Sequence, residues 1–235
     1  MLKDINDIYG NPLVATDGKI GHVKDFYFDD ESWIVRYLVV DTGSWLPGRQ
    51  VLLSPQAFDG LGKNGDPLHV NLTKEKIANS PSIESRHPVT RQQERDYYRY
   101  YGWPAYWDGG GMWEIGGLPV PSHPAARDNL SKKVHDSLEG NHQLLSTRSV
   151  TEYDIKASDG LLGSISGFLV DHLSWAIADL VVESGPWYSG KQILISPSAV
   201  KRICYTKSEV MVKVNRSNVQ RNLEDEVAKP AFSLS

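Results

Sequence analysis

The chain has 235 residues, a length that allows one large domain or two small ones. Hydrophobic residues make up 40% of it and charged residues 23%, which together with 7 Trp and 11 Tyr excludes a wholly disordered protein. The formal net charge is −4, and none of the segments 1–80, 81–145 and 146–235 is net basic, so nucleic-acid binding is not expected.

Cysteine content and hydropathy indicate the expected compartment. Cys204 is the only cysteine in the sequence, which leaves no internal disulfide and no cysteine-based metal site. No run of about 18 apolar residues predicts a membrane-spanning helix. Asp4 and Asp7 stand where a secretion signal would be apolar. We therefore expect a cytoplasmic protein.

The sequence repeats itself at an offset of 142 residues. Residues 15–57 align without a gap on residues 157–199, with 19 identities in 43 positions. A repeat of this kind predicts that the same fold occurs twice. The repeated residues that we interpret as structural are Asp17, Gly18, Gly21 and Asp29 in copy 1, and Asp159, Gly160, Gly163 and Asp171 in copy 2.

Each copy reads as a series of short strands. The Asp17-Gly18 pair supplies a turn between two alternating stretches. The alternation then slips once beside Gly21, which predicts a bulge that lets the sheet curl. The third stretch, residues 33–40, ends apolar on both faces, as in a small closed barrel. A fourth strand at residues 50–53 ends at Ser54-Pro55, and residues 68–72 alternate as a last strand.

The segment between the copies, residues 81–145, does not repeat. Thr90 and Gln93 form a capping box, and Gly102 is a stop signal, so a helix is predicted from Arg91 to about Tyr101. Eight aromatic residues follow one another within positions 97–113, and they must pack on the chain itself, on a partner or on a ligand. Those of this segment that we take as candidate partner-binding residues are Tyr97, Tyr101, Trp103 and Trp107.

These motifs together resemble the PRC-barrel family. The resemblance rests on Asp17-Gly18, Gly21, Asp29, Leu38-Val39-Val40, Gly43, Gly48 and Ser54-Pro55, and on their counterparts 142 residues later. It implies an all-β fold of two small barrels in tandem, joined by a helix-containing, aromatic-rich linker. The family includes the cytoplasmic domain of the photosynthetic reaction-centre H subunit and a domain of a ribosome maturation factor, and it is not known for a catalytic centre.

Chemistry-bearing residues were weighed against structural roles. The duplicated aspartates stand at turns and strand ends, where a carboxylate satisfies backbone amides. The histidines lack the spacing of a metal site, and no phosphate-binding or nucleophile motif occurs. Trp33 and Trp175 are expected to pack inside the fold, and Cys204 is expected to be buried. Trp45 and Trp187, on the Gly-flanked corners, are equally compatible with packing and with binding a partner.

The resulting prediction is a non-enzymatic protein-interaction protein without metal or cofactor. Its expected domains are a first barrel at 1–80, a linker at 81–145, a second barrel at 146–222 and a C-terminal tail at 223–235. The resemblance suggests a photosynthetic or stress-related complex, with a protein partner of unknown identity and with homodimerisation left open. Two alternatives remain: a ribosome-assembly factor that binds RNA or ribosomal protein, and a small-ligand sensor.

Overall fold

The computed structural model describes residues 1–47, 49–61, 65–81, 89, 91–105, 144–185, 191–217 and 219. The chain divides into two compact units. Unit 1 comprises residues 1–148 together with Leu169–Ile177, and unit 2 comprises Ser149–Phe168 and residues 178–235. The boundary therefore differs from the repeat boundary, because a short segment of copy 2 belongs to unit 1.

Unit 1 contains a six-stranded sheet and strand β1, which pairs with β9. Its described strands follow the spatial order β5-β4-β3-β2-β6, and β7 pairs with β3. The strands are β1 (Leu2–Asp4), β2 (Pro12–Ala15), β3 (Gly18–Asp29), β4 (Ile34–Asp41), β5 (Gln50–Leu53), β6 (Leu68–Val70) and β7 (Leu144–Ser146). The helices are α1 (Lys74–Ala78), α2 (Arg91–Tyr101) and α3 (Thr147–Val150), of which α3 runs across the unit boundary.

Unit 2 repeats this arrangement. Its described strands follow the order β11-β10-β9-β8-β13-β12. They are β8 (Asp154–Ala157), β9 (Gly160–Asp171), β10 (Ile177–Ser184), β11 (Gln192–Ile195), β12 (Val200–Cys204) and β13 (Glu209–Val212). The two sheets confirm the expected all-β class. No described helix is both long enough and apolar enough to cross a bilayer.

The predicted bulge occurs in both sheets. Opposite β2, the register shifts beside Gly21, and opposite β8 it shifts beside Gly163. Both glycines have positive φ angles, +142° and +154°. A Cβ atom at Gly21 would overlap the carbonyl oxygen of Asp41, and one at Gly163 would overlap that of Glu183. The close approach of neighbouring backbone explains why both copies need glycine there.

Two strand pairs inside unit 1 are related by the repeat. β1 pairs with residues 169–171 of β9, and β7 pairs with residues 27–29 of β3. The first strand of each copy therefore pairs with the hairpin of the other copy. At the centre, Ile34 forms an antiparallel bridge with Ala176. The same two segments pair in both directions between the copies, as in an isologous dimer interface.

The hairpin ends have the same local structure in both copies. The Oδ1 atom of Asp29 accepts hydrogen bonds from the backbone N–H groups of Glu31 and Ser32, and Asp171 accepts from those of Leu173 and Ser174. These loops hold Trp33 and Trp175 in left-handed backbone conformations at φ +56° and +60°. Both tryptophans are buried, as the sequence predicts. Their carbonyl groups accept hydrogen bonds of 2.8 and 2.9 Å from Ile177 and Val35.

Replacing Gly21 by alanine should destabilise the protein much more than replacing Gly43. Gly43 also has a positive φ, +55°, but it has open space where a Cβ would lie. We expect Gly21→Ala to cost more than about 3 kcal/mol of unfolding free energy in urea. Gly43→Ala should cost about 1 kcal/mol, the conformational penalty alone. Equal losses would show that the contact with Asp41 is relieved at little cost.

Removing the charge of Asp171 should change the acid sensitivity of folding. The N–H of Ser174 and the Met1 ammonium hold the pKa of Asp171 well below its ordinary value. A lowered pKa contributes stability above the unfolded-state value of about 4, and this contribution is lost as the pH falls further. Asp171→Asn should therefore cost about 1 kcal/mol at neutral pH. In urea titrations this cost should shrink below about pH 4, and a cost independent of pH would contradict the assignment.

Candidate functional site

Helix α2 covers the outward face of β4 and β5 in unit 1. Tyr37 and Val39 of β4 point to this face, beside Leu52, which lies opposite Val39 in β5. All three side chains are buried, Leu52 with only 4% of its surface exposed. This outward face of the sheet is apolar, so a second layer of structure must cover it. In unit 1 that layer is the helix.

The helix presents one stripe of four residues to the sheet. Its buried positions are Glu94, Tyr97, Tyr98 and Tyr101, at the i, i+3, i+4 and i+7 spacing of one helix face. The helix ends in a Schellman motif, in which the N–H of Gly102 bonds to the carbonyl of Arg99 and the N–H of Trp103 to that of Tyr98. The predicted helix and its stop signal are therefore present in the structure.

Tyrosine hydroxyls connect the helix to the strand edge. The hydroxyl of Tyr97 donates a 2.6 Å hydrogen bond to the carbonyl oxygen of Leu52. The Tyr97 ring also packs edge-on against Tyr37, with ring centroids 5.5 Å apart. Burial raises the pKa of Tyr97 well above its ordinary value and that of Tyr98 to about 12. Both hydroxyls therefore stay protonated at physiological pH, and Tyr97 remains a donor to Leu52.

A carboxylate is buried in this aromatic layer. Glu94 has no exposed surface. Its side chain accepts a 3.0 Å hydrogen bond from the Tyr37 hydroxyl and a 2.9 Å charge-assisted bond from Arg91. A buried charge is tolerated only when it is paired in this way. A glutamate at position 94 of the helix is therefore compatible with a hydrogen-bond donor such as Tyr37 beneath it on the strand.

The candidate partner-binding aromatics have different positions. Tyr97 and Tyr101 are buried within unit 1, so packing on the chain itself accounts for them. Trp103 is half-buried and stacks on Tyr101 with ring centroids 4.4 Å apart. Trp45 is half-buried, and the ammonium of Lys74 lies 5.0 Å from its ring centroid. Trp107 and Trp187 lie outside the residues that the structure describes.

The equivalent face of unit 2 is open at one position. Leu194 corresponds to Leu52 and has the same partner in the register, Val181 in place of Val39. Leu194 is 57% exposed, whereas Val181 beside it is buried. Asp179 stands where copy 1 has Tyr37 and is partly exposed. The carboxylate of Asp179 makes no hydrogen bond or ion pair with any residue that the structure describes.

The duplicated aspartates act on the backbone. Asp17 accepts a hydrogen bond from the N–H of Lys74, and Asp159 accepts one from the N–H of Arg216. The N–H of Arg216 also holds the pKa of Asp159 below its ordinary value. Gly18 and Gly160 have positive φ angles in the turns beside them. Within the described ranges, no three His, Cys, Asp or Glu side chains form a cluster that could hold a metal ion.

A small hollow in unit 1 bears on ligand binding. It measures about 20 Å³, which is room for a single water molecule. Its lining includes Arg36, Ser54, Tyr98 and Trp175. The hollow is too small for an organic ligand.

Sequence reasoning missed the residues that distinguish the two faces. None of Glu94, Asp179 and Leu194 is singled out by the sequence motifs. The usable signal was the repeat itself, because Tyr37 and Asp179 differ at one aligned position while Leu52 and Leu194 are identical. The expected burial of Cys204 was wrong: it is only half-buried, because it ends strand β12 beside an exposed turn.

Comparison with known proteins agrees with the fold of copy 1. Residues 2–76 match the family model described as PRC-barrel domain. No curated protein matches the chain. A PRC-barrel domain is therefore present in the part of the chain that includes β1–β6.

The buried tyrosine contact gives a direct test of how α2 is held. Tyr97→Phe removes the donor to Leu52 and leaves a buried carbonyl unpaired, so we expect a loss of about 1–2 kcal/mol of unfolding free energy. Tyr100→Phe is the matched control, since its hydroxyl bonds to the carbonyl of Lys76 at the surface. Water can replace that bond, and the control should lose less than about 0.5 kcal/mol. Urea unfolding of both variants measures the difference, and equal losses would contradict this role of Tyr97.

Proposed function

We propose that this PRC-barrel-containing protein is a non-enzymatic binding protein that docks a protein partner on the outward face of β10 and β11. The observation that carries the proposal is the contrast between Leu52, 4% exposed, and Leu194, 57% exposed. The two leucines occupy the same position of the same strand in the two copies. Copy 1 covers this face with a helix of its own chain, whereas copy 2 leaves Leu194 exposed on it.

The physical argument is the cost of exposed apolar surface. Fully burying an exposed leucine side chain is worth roughly 1.5–3 kcal/mol. Leu194 is 57% exposed, so a partner that covers it would gain roughly half of this free energy. β11 stands at the end of its sheet, and among the described residues no strand pairs with its outer backbone edge. A partner bound to this one face would remove the Leu194 side chain from water and could also form hydrogen bonds with the backbone edge of β11.

A non-enzymatic role is consistent with how the chemistry-bearing groups are used. Asp17, Asp29, Asp159 and Asp171 all accept hydrogen bonds from backbone N–H groups. The aromatic cluster around Tyr97 is packed against the sheet, which weakens the small-ligand alternative. The finer assignment, a cytoplasmic protein of a photosynthetic or stress-related complex, rests on the resemblance to the reaction-centre H subunit.

The ribosome-assembly alternative has one supporting observation. Lys201 and Arg202 on β12 are exposed, as are Lys207 and Lys213 nearby. Glu209 of the same hairpin is paired with Lys156 at 2.6 Å, so its charge is compensated. RNA binding that persists at physiological salt would favour this alternative, because phosphate contacts weaken steeply as salt rises.

Site-specific photo-crosslinking tests the docking face. A photo-reactive phenylalanine analogue placed at position 194 should give a discrete protein adduct in cells of the native host. The same analogue at position 161 is the control, because Leu161 is also in unit 2 and is 44% exposed. A discrete adduct from 194 that is absent from 161 supports the proposal. No adduct from 194, or the same adducts from both positions, would overturn it.

A further inference from the structure

Building on that proposed function, we infer that the occupant of the unit 2 face is an amphipathic helix whose aromatic stripe carries a basic residue over Asp179. The inference concerns the chemistry of the partner. Its basis is the covered face of copy 1, which shows what a helix must supply to this sheet, and the single charged substitution that distinguishes the open face.

The covered face defines the common requirements. In unit 1, a helix lies over β4 and β5, and a tyrosine hydroxyl reaches the carbonyl of Leu52 at 2.6 Å. The pairing of β10 with β11 has the same register, with Leu180 opposite Ile195 as Leu38 is opposite Leu53. The carbonyl of Leu194 therefore has the same place along the strand edge as that of Leu52. An aromatic helix with a hydroxyl donor fits this edge and covers the Leu194 side chain.

The charge requirement is reversed between the faces. In copy 1, Tyr37 donates to the carboxylate of Glu94 on the helix. In copy 2 the aligned residue is Asp179, which when ionised is an acceptor only. Asp179 and Leu194 share the outward face, because Asp179 lies two positions before Val181, the partner of Leu194. A helix with a carboxylate at the position of Glu94 is repelled here, whereas arginine or lysine pairs with Asp179.

The same argument excludes α2 of a second copy as the occupant. That helix carries Glu94 at the position facing the sheet, so it would bring two carboxylates together. Its Tyr97 is also committed to Leu52 and is 1% exposed in its own chain. The occupant that meets both requirements is a helix from another protein, with the aromatic pattern of α2 and the opposite charge at one position.

Two peptides test this charge rule against the full-length chain. The first has the sequence of residues 89–105, and the second differs from it only by Glu94→Arg. Both carry an i, i+4 lactam formed after Arg95→Lys and Arg99→Asp, positions that are exposed in α2. The lactam keeps each peptide helical, and circular dichroism verifies this before titration. Amide chemical shifts of the full chain report both the affinity and the location of binding.

We expect the Glu94→Arg peptide to bind about tenfold more tightly than its parent and to shift the amides around Leu194. Leu194→Asp in the chain should abolish this binding, while the control Leu161→Asp should retain it. Asp179→Arg should reverse the preference, so that the parent peptide binds more tightly. Equal affinities, no reversal, shifts centred elsewhere, or no binding by the helical Glu94→Arg peptide would each overturn the inference.

The outcome is separable from that of the proposed function. A specific crosslinked adduct at position 194, combined with failure of the peptide pair, leaves a docking face whose partner is not such a helix. Absence of the adduct removes the docking face itself. Binding of the basic peptide with the predicted reversal supports both the face and the chemistry of its occupant.

Discussion

An apolar strand with two buried faces must be covered on both sides, and this constraint shapes the fold around β4. Leu38 and Val40 point into the core of the sheet, while Tyr37 and Val39 point outward, and all four are buried. Curling of the sheet at the Gly21 bulge covers one face only. The other face needs a second layer, which explains why a helix rich in tyrosine follows copy 1. The helix is thus a consequence of strand composition as much as of its own sequence.

The duplicated copies also cover parts of each other through backbone pairing. The hairpin ends of both copies meet within unit 1 through the bridge between Ile34 and Ala176, and the first strand of each copy extends the hairpin of the other. Backbone pairing of this type is independent of side-chain identity. It therefore tolerates sequence divergence, and the pairing persists although Ile34 of copy 1 is replaced by Ala176 in copy 2.

Local features of the fold could be predicted from the sequence because they depend on nearby residues. The Asp-Gly turns, the bulge beside Gly21 and the end of α2 at Gly102 all follow from backbone conformations that few residues adopt. The pairing of β7 with β3 could not be predicted, since it joins residues more than 100 positions apart and Leu144–Ser146 crosses the expected linker boundary. No local pattern indicates which hairpin such a short strand will join.

The candidate site was hidden for a related reason. Glu94 is buried because the Tyr37 hydroxyl beneath it donates a hydrogen bond to its carboxylate. A prediction from residue type alone would place this glutamate on the solvent-exposed side of the helix. The repeat makes such dependencies visible, because aligned positions in two copies of one fold can be compared directly. Copy 2 has Asp179 at the position of Tyr37, so a carboxylate at the position of Glu94 would be repelled. A helix that covers this face therefore needs a neutral or basic residue there. Leu194 is 57% exposed on the face that carries Asp179, and this exposure makes the unit 2 face the place to look for a partner.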